Sequence, residues 1–494
     1  MMKRSFFILS MICIAAISCS KGDMNGEAYW GDKAGAYYES PSDPESPSEG
    51  DRFDAIQENP FVDAQVQPVS TFSVDADGAS YAYMRRCLTS GYFPPANAVR
   101  IEEFLNYFTF DYPDPEAESE EDVALNAETG PCPWNAGHRL MRLGIKGRSL
   151  TGGQIPQANF VFLIDISGSM SSMDKLPLFK TGLVNMLDYM RPDDRVAIVT
   201  YASGEQLLLE STPVSEKDVI KKAISSLAAK GSTAGSKGMQ MAYEQAEKNF
   251  IEGANNRVIM GTDGDFNVGI TGADAILEFV QNYAAKGIYL TICGFGSGNL
   301  NDSMMERVSG GGNGTYEYID SELEMAKVFV NERSRFITVA TDCKTQITFD
   351  PEVVKSYRLI GYENRVLAND DFENDKVDAA EVGSGQTITA LYEIEPAEGT
   401  EGSPAKFSFR YKKKVGEESR LLETDVPAEV DVLSENLSFA SSLACWGLCL
   451  RNSAYKGSAS RELALSLARE SVGSDPYGLR AQYVELLGKA ASIQ

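Results

Sequence analysis

The sequence predicts an α/β fold in which a central, mostly parallel sheet carries helices on both faces. Between residues 158 and 339, apolar runs of strand length alternate with amphipathic helical patterns, which is typical of right-handed parallel crossovers. Residues 60–157 and 340–432 contain further strand patterns, and residues 433–494 contain helical ones. Because strand patterns lie on both sides of the α/β block, we expect this Rossmann-like domain to be inserted in a β-sandwich built from the flanking strands.

The chain carries a strong negative charge. Its 494 residues include 71 acidic and 45 basic ones, which gives a formal net charge of −26. Such a charge repels nucleic acids and anionic membrane surfaces, so the composition argues against nucleic-acid binding. A solubilising surface explains the acidity, but an acidic protein also binds an acidic partner when a cation lies between them.

Residues 1–19 have the pattern of an export signal. Two basic residues precede an apolar run at 6–17 that is too short for a comfortable transmembrane helix. The run ends at Ser18-Cys19, which resembles a bacterial lipoprotein signal and implies that Cys19 is lipidated. Ile17 stands where that pattern usually has a small residue, so an ordinary cleaved signal peptide is the alternative. We expect an exported cell-envelope protein, at the outer membrane or cell surface, held to the membrane by a lipid anchor only.

Residues 20–59 predict a disordered tether. The segment is rich in Ser, Pro, Gly and Glu, and it cannot bury enough apolar surface to order itself. As a flexible coil of about 40 residues it would hold the folded body roughly 35 Å from its anchor. Order is expected to begin near Pro60.

The cysteines show no pattern of a disulfide framework. Six remain once Cys13 and Cys19 are set aside, and they are scattered along the chain. Cys445 and Cys449 lie one helical turn apart without nearby His or further Cys. We therefore interpret them as a buried pair on an apolar helix face rather than a zinc site.

The regions that flank the α/β block follow simple periodicities. Predicted strands cover residues 68–75, 123–128, 139–146, 345–349, 386–393 and 405–411, and predicted helices cover 79–90, 99–108, 435–453, 459–471 and 476–491. Asp475-Pro476 has the form of a cap and first turn for the last helix.

Within the block, each strand pattern is followed by a loop and, in most cases, by a helix. Predicted strands cover residues 159–164, 196–201, 206–209, 257–260, 288–294 and 315–318, and predicted helices cover 175–190, 216–229, 236–250, 273–285, 303–308 and 321–335. Ser215 is expected to cap the helix that begins at residue 216. In such a sheet the ligand site lies beyond the carboxyl ends of the strands.

Five oxygen-bearing side chains follow strands or loops at that predicted edge. Asp165, Ser167 and Ser169 come directly after the first strand of the block, and Thr233 and Asp263 lie in two later Gly-containing loops. Hard divalent cations such as Mg²⁺ prefer oxygen donors of this kind. The structural alternative is that Asp and Ser satisfy loop and helix-start amides.

Neighbouring residues have simpler interpretations. Asp265 is either close to a bound metal or solvated, and we favour solvation. The glycines at positions 168, 231 and 264 are expected to allow tight turns rather than to contact a ligand.

Several motifs resemble one bacterial family. Residues 70–75, 93–95 and 99–108 resemble the N-terminal region of YfbK-like proteins that contain a von Willebrand factor A domain, and residues 357–365 and 369–372 resemble their C-terminal region. Residues 158–339 resemble the A domain itself. This resemblance implies the Rossmann-like fold of that domain.

The resemblance also implies a function for the five oxygen-bearing positions, which match the metal-ion-dependent adhesion site of the A domain. It implies that Ser167 and Ser169 ligate Mg²⁺ directly, that Asp165 and Asp263 act directly or through water, and that Thr233 engages the metal when ligand is bound. Mn²⁺ and Ca²⁺ are alternative metals. An unknown protein partner would then supply a carboxylate to the metal.

Enzymatic functions fit the sequence poorly. The chain's one histidine, His138, lies outside the α/β block and is expected to be a surface or loop residue. The sequence has neither a Gly-x-Ser-x-Gly elbow nor a phosphate-binding loop. A Mg²⁺-dependent phosphotransferase is disfavoured because Ser167 stands where a second carboxylate is expected.

We therefore predict a non-enzymatic envelope protein that binds a partner through a metal held by the A domain. The alternative is a scaffold in which the metal only stabilises the fold.

Overall fold

The computed structural model describes residues 50–74, 77–231, 237–264, 270, 272–298, 300–375, 377, 379–399, 402–430 and 432–493. The predicted signal peptide with Cys19, most of the predicted tether, Thr233 and Asp265 lie outside these residues. In the described part of the chain, no helix has both the length and the apolar character that crossing a bilayer requires.

The N-terminal region contributes strands to the sandwich and helices that pack against the rest of the molecule. Its strands are β1 (Val62–Asp63), β2 (Val69–Ser73), β3 (Val123–Pro131) and β4 (Arg139–Gly147), and its helices are α1 (Ala79–Thr89) and α2 (Ile101–Asn106). Both helices are buried along nearly their whole length, and the buried residues include polar ones such as Arg85 of α1 and Glu102 and Glu103 of α2.

The α/β block forms one sheet with helices on both faces, as predicted. Its strands are β5 (Ala158–Asp165), β6 (Arg195–Tyr201), β7 (Glu205–Pro213), β8 (Asn255–Thr262), β9 (Ile288–Phe295) and β10 (Tyr316–Ile319). Its helices are α3 (Leu176–Met186), α4 (Lys217–Ser226), α5 (Gly238–Lys248), α6 (Ala273–Ala284), α7 (Asp302–Gly311) and α8 (Glu322–Ala326). The described strands run in the order β10-β9-β8-β5-β6-β7, and all pairings are parallel except that of β7 with β6.

The C-terminal region is first β and then α. Its strands are β11 (Thr338–Phe349), β12 (Val354–Ile360), β13 (Val366–Leu367), β14 (Ala380–Gly383), β15 (Thr387–Pro396), β16 (Ala405–Lys412) and β17 (Arg420–Asp425). Its helices are α9 (Glu435–Leu450), α10 (Arg461–Glu470) and α11 (Leu479–Lys489).

The strands on either side of the α/β block pair with one another, which confirms the predicted insertion in a sandwich. One antiparallel sheet runs β1-β12-β15-β4-β3, and the other runs β13-β2-β11-β16-β17 in the described residues, with β14 also on β11. The two sheets share an apolar core, in which the rings of Phe349 and Tyr357 stack with their centroids 3.9 Å apart. Ser384 joins the two chain segments that connect the α/β block to the sandwich. Its amide donates to the carbonyl oxygen of Ile337, and its hydroxyl accepts from the amide of Leu150.

The predicted boundary near Pro60 differs from the structure, which places residues 50–59 against the folded body. Asp51 Oδ1 accepts hydrogen bonds from the amides of Gly298 (2.7 Å) and Leu300 (3.0 Å). The Phe53 ring packs against Tyr83 with a centroid distance of 4.9 Å. The carboxylate of Asp51 and the ring of Phe53 therefore fix the position of residues 50–59. The polar composition of this segment does not indicate such order.

The predicted helix over residues 321–335 is wrong in its second half. Helix α8 ends at Ala326 and continues as π-helical turns at Lys327–Asn331 and a 3₁₀ turn at Arg333–Phe336. The amide of Glu332 donates to the carbonyl oxygen of Lys327, and the buried Lys327 ammonium lies 3.2 Å from the Glu332 carboxylate. The wider turn places these two residues, five apart, on one side of the helix.

The two predicted helix caps differ from each other in outcome. Ser215 does not cap α4, because it lies in a 3₁₀ turn and its amide donates to Pro192, while α4 begins at Lys217 without a side-chain cap. Asp475 does accept hydrogen bonds from the amides of Arg480 and Ala481, although α11 begins later than Pro476.

His138 lies in the loop before β4, which agrees with the prediction of a surface or loop residue, but its side chain joins a partly buried polar cluster. Its Nδ1 lies 2.7 Å from Oε1 of Glu393, a residue of β15 whose side chain is buried. The other carboxylate oxygen accepts from Trp134 Nε1 and from Arg358. The imidazole ring lies against Glu393 because this buried carboxylate needs hydrogen-bond donors inside the sandwich.

The cysteines are free thiols throughout the part of the chain that the structure describes. Cys445 is fully buried on α9 and Cys449 is half-buried, so they lie close to the buried pair that the sequence predicts.

Candidate metal centre

Asp165 and Asp263 lie at the carboxyl ends of two neighbouring parallel strands. Asp165 is the last residue of β5, and Asp263 follows the last residue of β8. The register pairs Ile164 with Gly261, so the two carboxylates leave the sheet at the same edge. Both are buried, with 0% and 1% of their surface exposed. This is the arrangement that the strand order predicts for a doubly wound sheet.

The loop after β5 contributes two hydroxyl oxygens next to Asp165, those of Ser167 and Ser169. Oδ1 of Asp165 accepts a hydrogen bond from the amide of Ser167 at 2.8 Å, and the hydroxyl oxygens of Ser167 and Ser169 are 2.9 Å apart. Ser167 is buried and Ser169 is exposed. One Asp165 oxygen therefore satisfies a loop amide, as the structural alternative expects, while the two hydroxyls converge rather than cap the following 3₁₀ turn.

The loop that leads to Thr233 begins against this first loop. The amide of Lys230 donates to the carbonyl oxygen of Ile166 at 2.7 Å, and the amide of Gly168 donates to the carbonyl oxygen of Gly231 at 3.1 Å. Gly231 has a φ of +90°, which favours glycine, whereas Gly168 does not lie in that left-handed region. Thr233 itself lies outside the described residues.

The two oxygens of Asp263 have different surroundings. Oδ2 accepts from the ammonium of Lys175 at 2.8 Å. Oδ1 is buried and has no hydrogen-bond donor among the described residues. Because a buried carboxylate oxygen without a donor is costly, a cation at this position would stabilise it. The donor set therefore fits a hard divalent cation, since it consists of carboxylate and hydroxyl oxygens.

The centre differs from metal sites rich in carboxylate, imidazole or thiolate. In the described ranges no group of three or more His, Cys, Asp or Glu side chains is placed to hold a metal ion. The candidate centre contributes two carboxylates and its remaining protein oxygens are hydroxyls. Such a set carries little negative charge for a divalent cation.

Lys175 was missed as a site residue in the sequence. It is buried, precedes α3, and reaches Asp263 across Gly296, which has a φ of +74°. A Cβ atom at position 296 would lie 2.1 Å from Cε of Lys175. One sequence signal was available, because a cation at the start of a helix opposes the helix dipole and so needs another partner.

Helix α1, which lies outside the A domain, contacts the loop that contains Asp174 and the loop that contains Ser297. Arg86 lies 2.9 Å from Oδ2 of Asp174 and 3.3 Å from Oγ of Ser297. Burial opposes ionisation of Asp174, but the hydrogen bond from Ser172 and the charge of Arg86 outweigh it and lower the pKa of that carboxyl. Arg86 thus connects helix α1 to the chain neighbours of both Lys175 and Gly296.

Comparisons with known proteins agree with this architecture. Family models described as "von Willebrand factor", "von Willebrand factor type A domain" and "Uncharacterized protein YfbK, C-terminal" match residues 47–142, 159–331, and 334–407 with 398–493. "Uncharacterized protein YfbK" of Escherichia coli (strain K12) is 38% identical over 468 residues, which cover 90% of this chain and 81% of that protein. The chain belongs to the YfbK family. The YfbK likeness thus extends well beyond the A domain into both flanking regions.

More distant relatives share a smaller part of the chain. "Inter-alpha-trypsin inhibitor heavy chain H3" of Homo sapiens is 31% identical over 180 residues, 34% of this chain and 20% of that protein. The solved structure of "von Willebrand factor type A from Catenulispora acidiphila" covers 76% of this chain and 90% of its own at 16% identity, with a TM-score of 0.42. Likeness at this level says nothing about function.

Proposed function

We propose that this protein binds a partner protein through a divalent cation, Mg²⁺ in the first place and Mn²⁺ or Ca²⁺ as alternatives, held by the A domain. Asp165, Ser167, Ser169, Thr233 and Asp263 would hold the ion. The observation that carries the proposal is the buried Oδ1 of Asp263, which lacks a donor in the described chain at the sheet edge where Asp165 also ends. The bound ion would supply an electrophilic position for a carboxylate of the partner.

The residues of the centre suit such a partner. Two carboxylates, one of them paired with Lys175, leave little negative charge to repel an incoming anion. Ser169 is exposed, so the centre is open to solvent on the side of its loop. Because the whole chain carries a formal charge of −26, an acidic partner would be repelled without a cation between the two surfaces.

The proposal describes an exported binding protein rather than an enzyme. Its anchor would be a lipid on Cys19, which would place it in the bacterial cell envelope. His138, the residue type most used in acid–base catalysis, contacts Glu393 inside the sandwich and belongs to neither loop of the centre.

Thermal unfolding tests whether the centre binds metal. We expect Mg²⁺ to raise the melting temperature of the purified full chain and Asp165→Ala to abolish the rise. At a concentration of one hundred times the dissociation constant, binding adds about 2.7 kcal/mol. If the A domain (residues 158–339) unfolds as a unit, that free energy corresponds to a rise of about 5 to 10 °C in its melting temperature.

Asp188→Ala is the matched control for this measurement. Asp188 is an exposed carboxylate of the same domain that pairs with Lys217 and Lys221, so its removal should leave the Mg²⁺ effect unchanged. If Mg²⁺ has no effect on the wild type, and elemental analysis finds no bound metal, the metal-site proposal is wrong.

The second candidate function is a scaffold in which the metal only stabilises the fold. Buried ion pairs between the A domain and the flanking regions favour it, because they bind the domain firmly to its neighbours: Arg85 with Asp320 and Arg100 with Asp302. Acetate, as a stand-in for the partner's carboxylate, separates the two functions. If the centre binds a partner, acetate should tighten Mg²⁺ binding, whereas in a scaffold it should have no effect.

Thr233→Ala sharpens the distinction between partner binding and scaffolding. In the binding function we expect this variant to lose the effect of acetate on Mg²⁺ affinity while its thermal stability stays nearly intact. A variant that is destabilised but keeps the acetate effect would favour the scaffold. Isothermal titration of Mg²⁺ with and without acetate measures the acetate effect, and thermal unfolding of the same variant measures its stability.

A further inference from the structure

We propose that Lys175 is a positioning residue that tunes the centre for an anionic partner. Its ammonium occupies one oxygen of Asp263, leaves the other oxygen directed to the cation, and keeps the net negative charge of the centre low. The metal is consequently held weakly when alone and more tightly once an anion joins it. This inference rests on the proposed function and adds to it the residue that determines ligand charge.

The lysine is built into the site rather than lying on it. The contact between Nζ of Lys175 and Oδ2 of Asp263 is 2.8 Å long, and the two side chains are 10% and 0% exposed. A surface ion pair between long side chains would be screened by water and salt. At this burial the charge of the ammonium is felt by every group around Asp263.

The path of the side chain is fixed by its neighbours. Cε of Lys175 passes over Gly296 at a distance that leaves no room for a Cβ atom. The hydroxyl of Tyr318 donates to the carbonyl oxygen of Gly296 at 2.6 Å, which fixes the loop under the lysine. Arg86 contacts Asp174 on one side and Ser297 on the other. The lysine therefore approaches Asp263 from one direction only.

In this proposal the two oxygens of Asp263 have separate partners, the ammonium of Lys175 for Oδ2 and the metal ion for Oδ1. With Oδ2 taken by Lys175, Oδ1 is the oxygen that lacks a donor among the described residues. The ammonium also offsets one of the two carboxylate charges, so the protein offers a divalent ion a net charge of about −1. A divalent ion in such a site keeps an excess positive charge, which favours an anion as the next ligand.

A lysine that only stabilised the fold would behave differently. Breaking a buried ion pair leaves an uncompensated carboxylate and destabilises the protein, and a disordered centre would bind both metal and anion less well. The tuning function instead predicts opposite changes, since a more negative centre attracts the metal and repels the anion. This opposition separates positioning from simple structural support.

The experiment is an isothermal titration of Mg²⁺ into the purified full chain, in chloride and in acetate at equal ionic strength. For the wild type, acetate should tighten Mg²⁺ binding. Lys175→Met should bind Mg²⁺ about ten-fold more tightly than the wild type in chloride, and acetate should no longer improve its affinity. By reciprocity, the lost acetate effect is a lost affinity of the metal-loaded centre for acetate.

Two further variants control this result. Lys221→Met removes the same charge from the surface of the same domain, where the ammonium of the lysine pairs with the exposed Asp188, and it should behave as the wild type. Gly296→Ala keeps the lysine but fills the space that its side chain crosses, and it should shift both affinities in the direction of Lys175→Met. Circular dichroism confirms that each variant is folded.

The outcomes distinguish this inference from the proposed function. Tighter Mg²⁺ binding together with a lost acetate effect in Lys175→Met supports the inference. Weaker or unchanged Mg²⁺ binding by a folded Lys175→Met, or an acetate effect equal to that of the wild type, overturns it while the metal site stands. No Mg²⁺ binding by the wild type overturns the proposed function and this inference with it.

Discussion

Arg100 lies among three carboxyl groups at the junction of α2 and α7, of which those of Glu103 and Asp302 are buried and that of Glu306 is partly buried. Its guanidinium contacts Asp302 at 2.6 Å and lies 3.9 Å from Glu306, and Nε donates to Glu103. Arg365 contributes a second positive charge at 2.6 Å from Glu306. Three carboxyls thus share two guanidinium groups. Burial raises the pKa of Glu103 to about 7 despite the opposing effect of Arg100.

This cluster predicts that stability falls as the pH rises from about 4.5 to about 7. The folded state holds the proton of Glu103 more tightly than the unfolded chain does. The stability that Glu103 contributes is therefore complete below its pKa in the unfolded chain and is lost as the pH rises through its pKa in the folded state. Burial raises the pKa of Asp302 as well, which acts in the same direction, whereas the pKa of Glu306 is lowered and acts at more acidic pH. The slope for one group is at most about 1.4 kcal/mol per pH unit.

Urea unfolding of the full chain at several pH values measures this slope. Glu103→Gln should flatten it, because an amide does not titrate, and Glu247→Gln, at an exposed residue paired with Lys286, should leave it unchanged. An identical slope in Glu103→Gln and the wild type would assign the pH dependence to other groups.

At the scale of elements, helix α1 connects the sandwich region to the A domain. Arg85 lies 2.5 Å from Asp320 and 2.6 Å from Glu324, at the end of β10 and in α8. Tyr107 donates to the same Glu324 carboxylate at 2.6 Å. All these side chains are buried, so the helix is held to the A domain by charges that have no access to water.

Arg85→Ala should therefore destabilise the protein by about 3 to 5 kcal/mol, because two buried carboxylates lose the guanidinium group that pairs with them. Arg86→Ala is a close control, since Arg86 is one residue away and pairs with the partly exposed Asp174, and it should cost about 1 kcal/mol or less. Urea midpoints of the two variants give the comparison. Equal losses would show that burial of the Arg85 pair has no special weight.

The elements that the sequence predicted share strong periodicity, and the missed ones lack it. The buried strands of the A domain were found because their apolar runs stand between helical patterns, whereas β17 alternates between half-buried and exposed residues at a sheet edge. Strand β12 was not assigned, although it pairs with β15 across most of its length. An edge strand such as β17 carries less apolar sequence, so pattern alone does not identify it. The inner strand β12 was missed because Lys355, Ser356 and Arg358 interrupt its apolar run.

The residues of the site also fall into those that the sequence predicts and those that it does not. Asp165, Ser167, Ser169 and Asp263 follow from strand order, because the carboxyl ends of neighbouring parallel strands meet. The contact of Lys175 with Asp263 depends on the path over Gly296, and the contact of Arg86 with Asp174 depends on how the flanking region packs. Such relations join distant parts of the chain, and the one local signal is the position of Lys175 at the start of a helix.

At the scale of the whole molecule, the insertion was predictable but its consequences for packing were not. Strand patterns on both sides of the α/β block indicate that the flanking strands pair, and the sheets confirm this. The buried ion pairs between the A domain and α1 or α2 have no counterpart in the sequence patterns. They arise because the inserted domain rests on the helices of the region that precedes it.

The pairing across the insertion also sets the order in which the chain folds. Strands β3 and β4 complete their sheet only with β12 and β15, and His138 and Glu393 meet across 255 residues of chain. The A domain, whose parallel strands are joined by local crossovers, has all its sequence available long before the sandwich does. We infer that it folds before the sandwich and then brings the two halves of the sandwich together, since Ser384 bonds to both segments that connect the A domain to the sandwich.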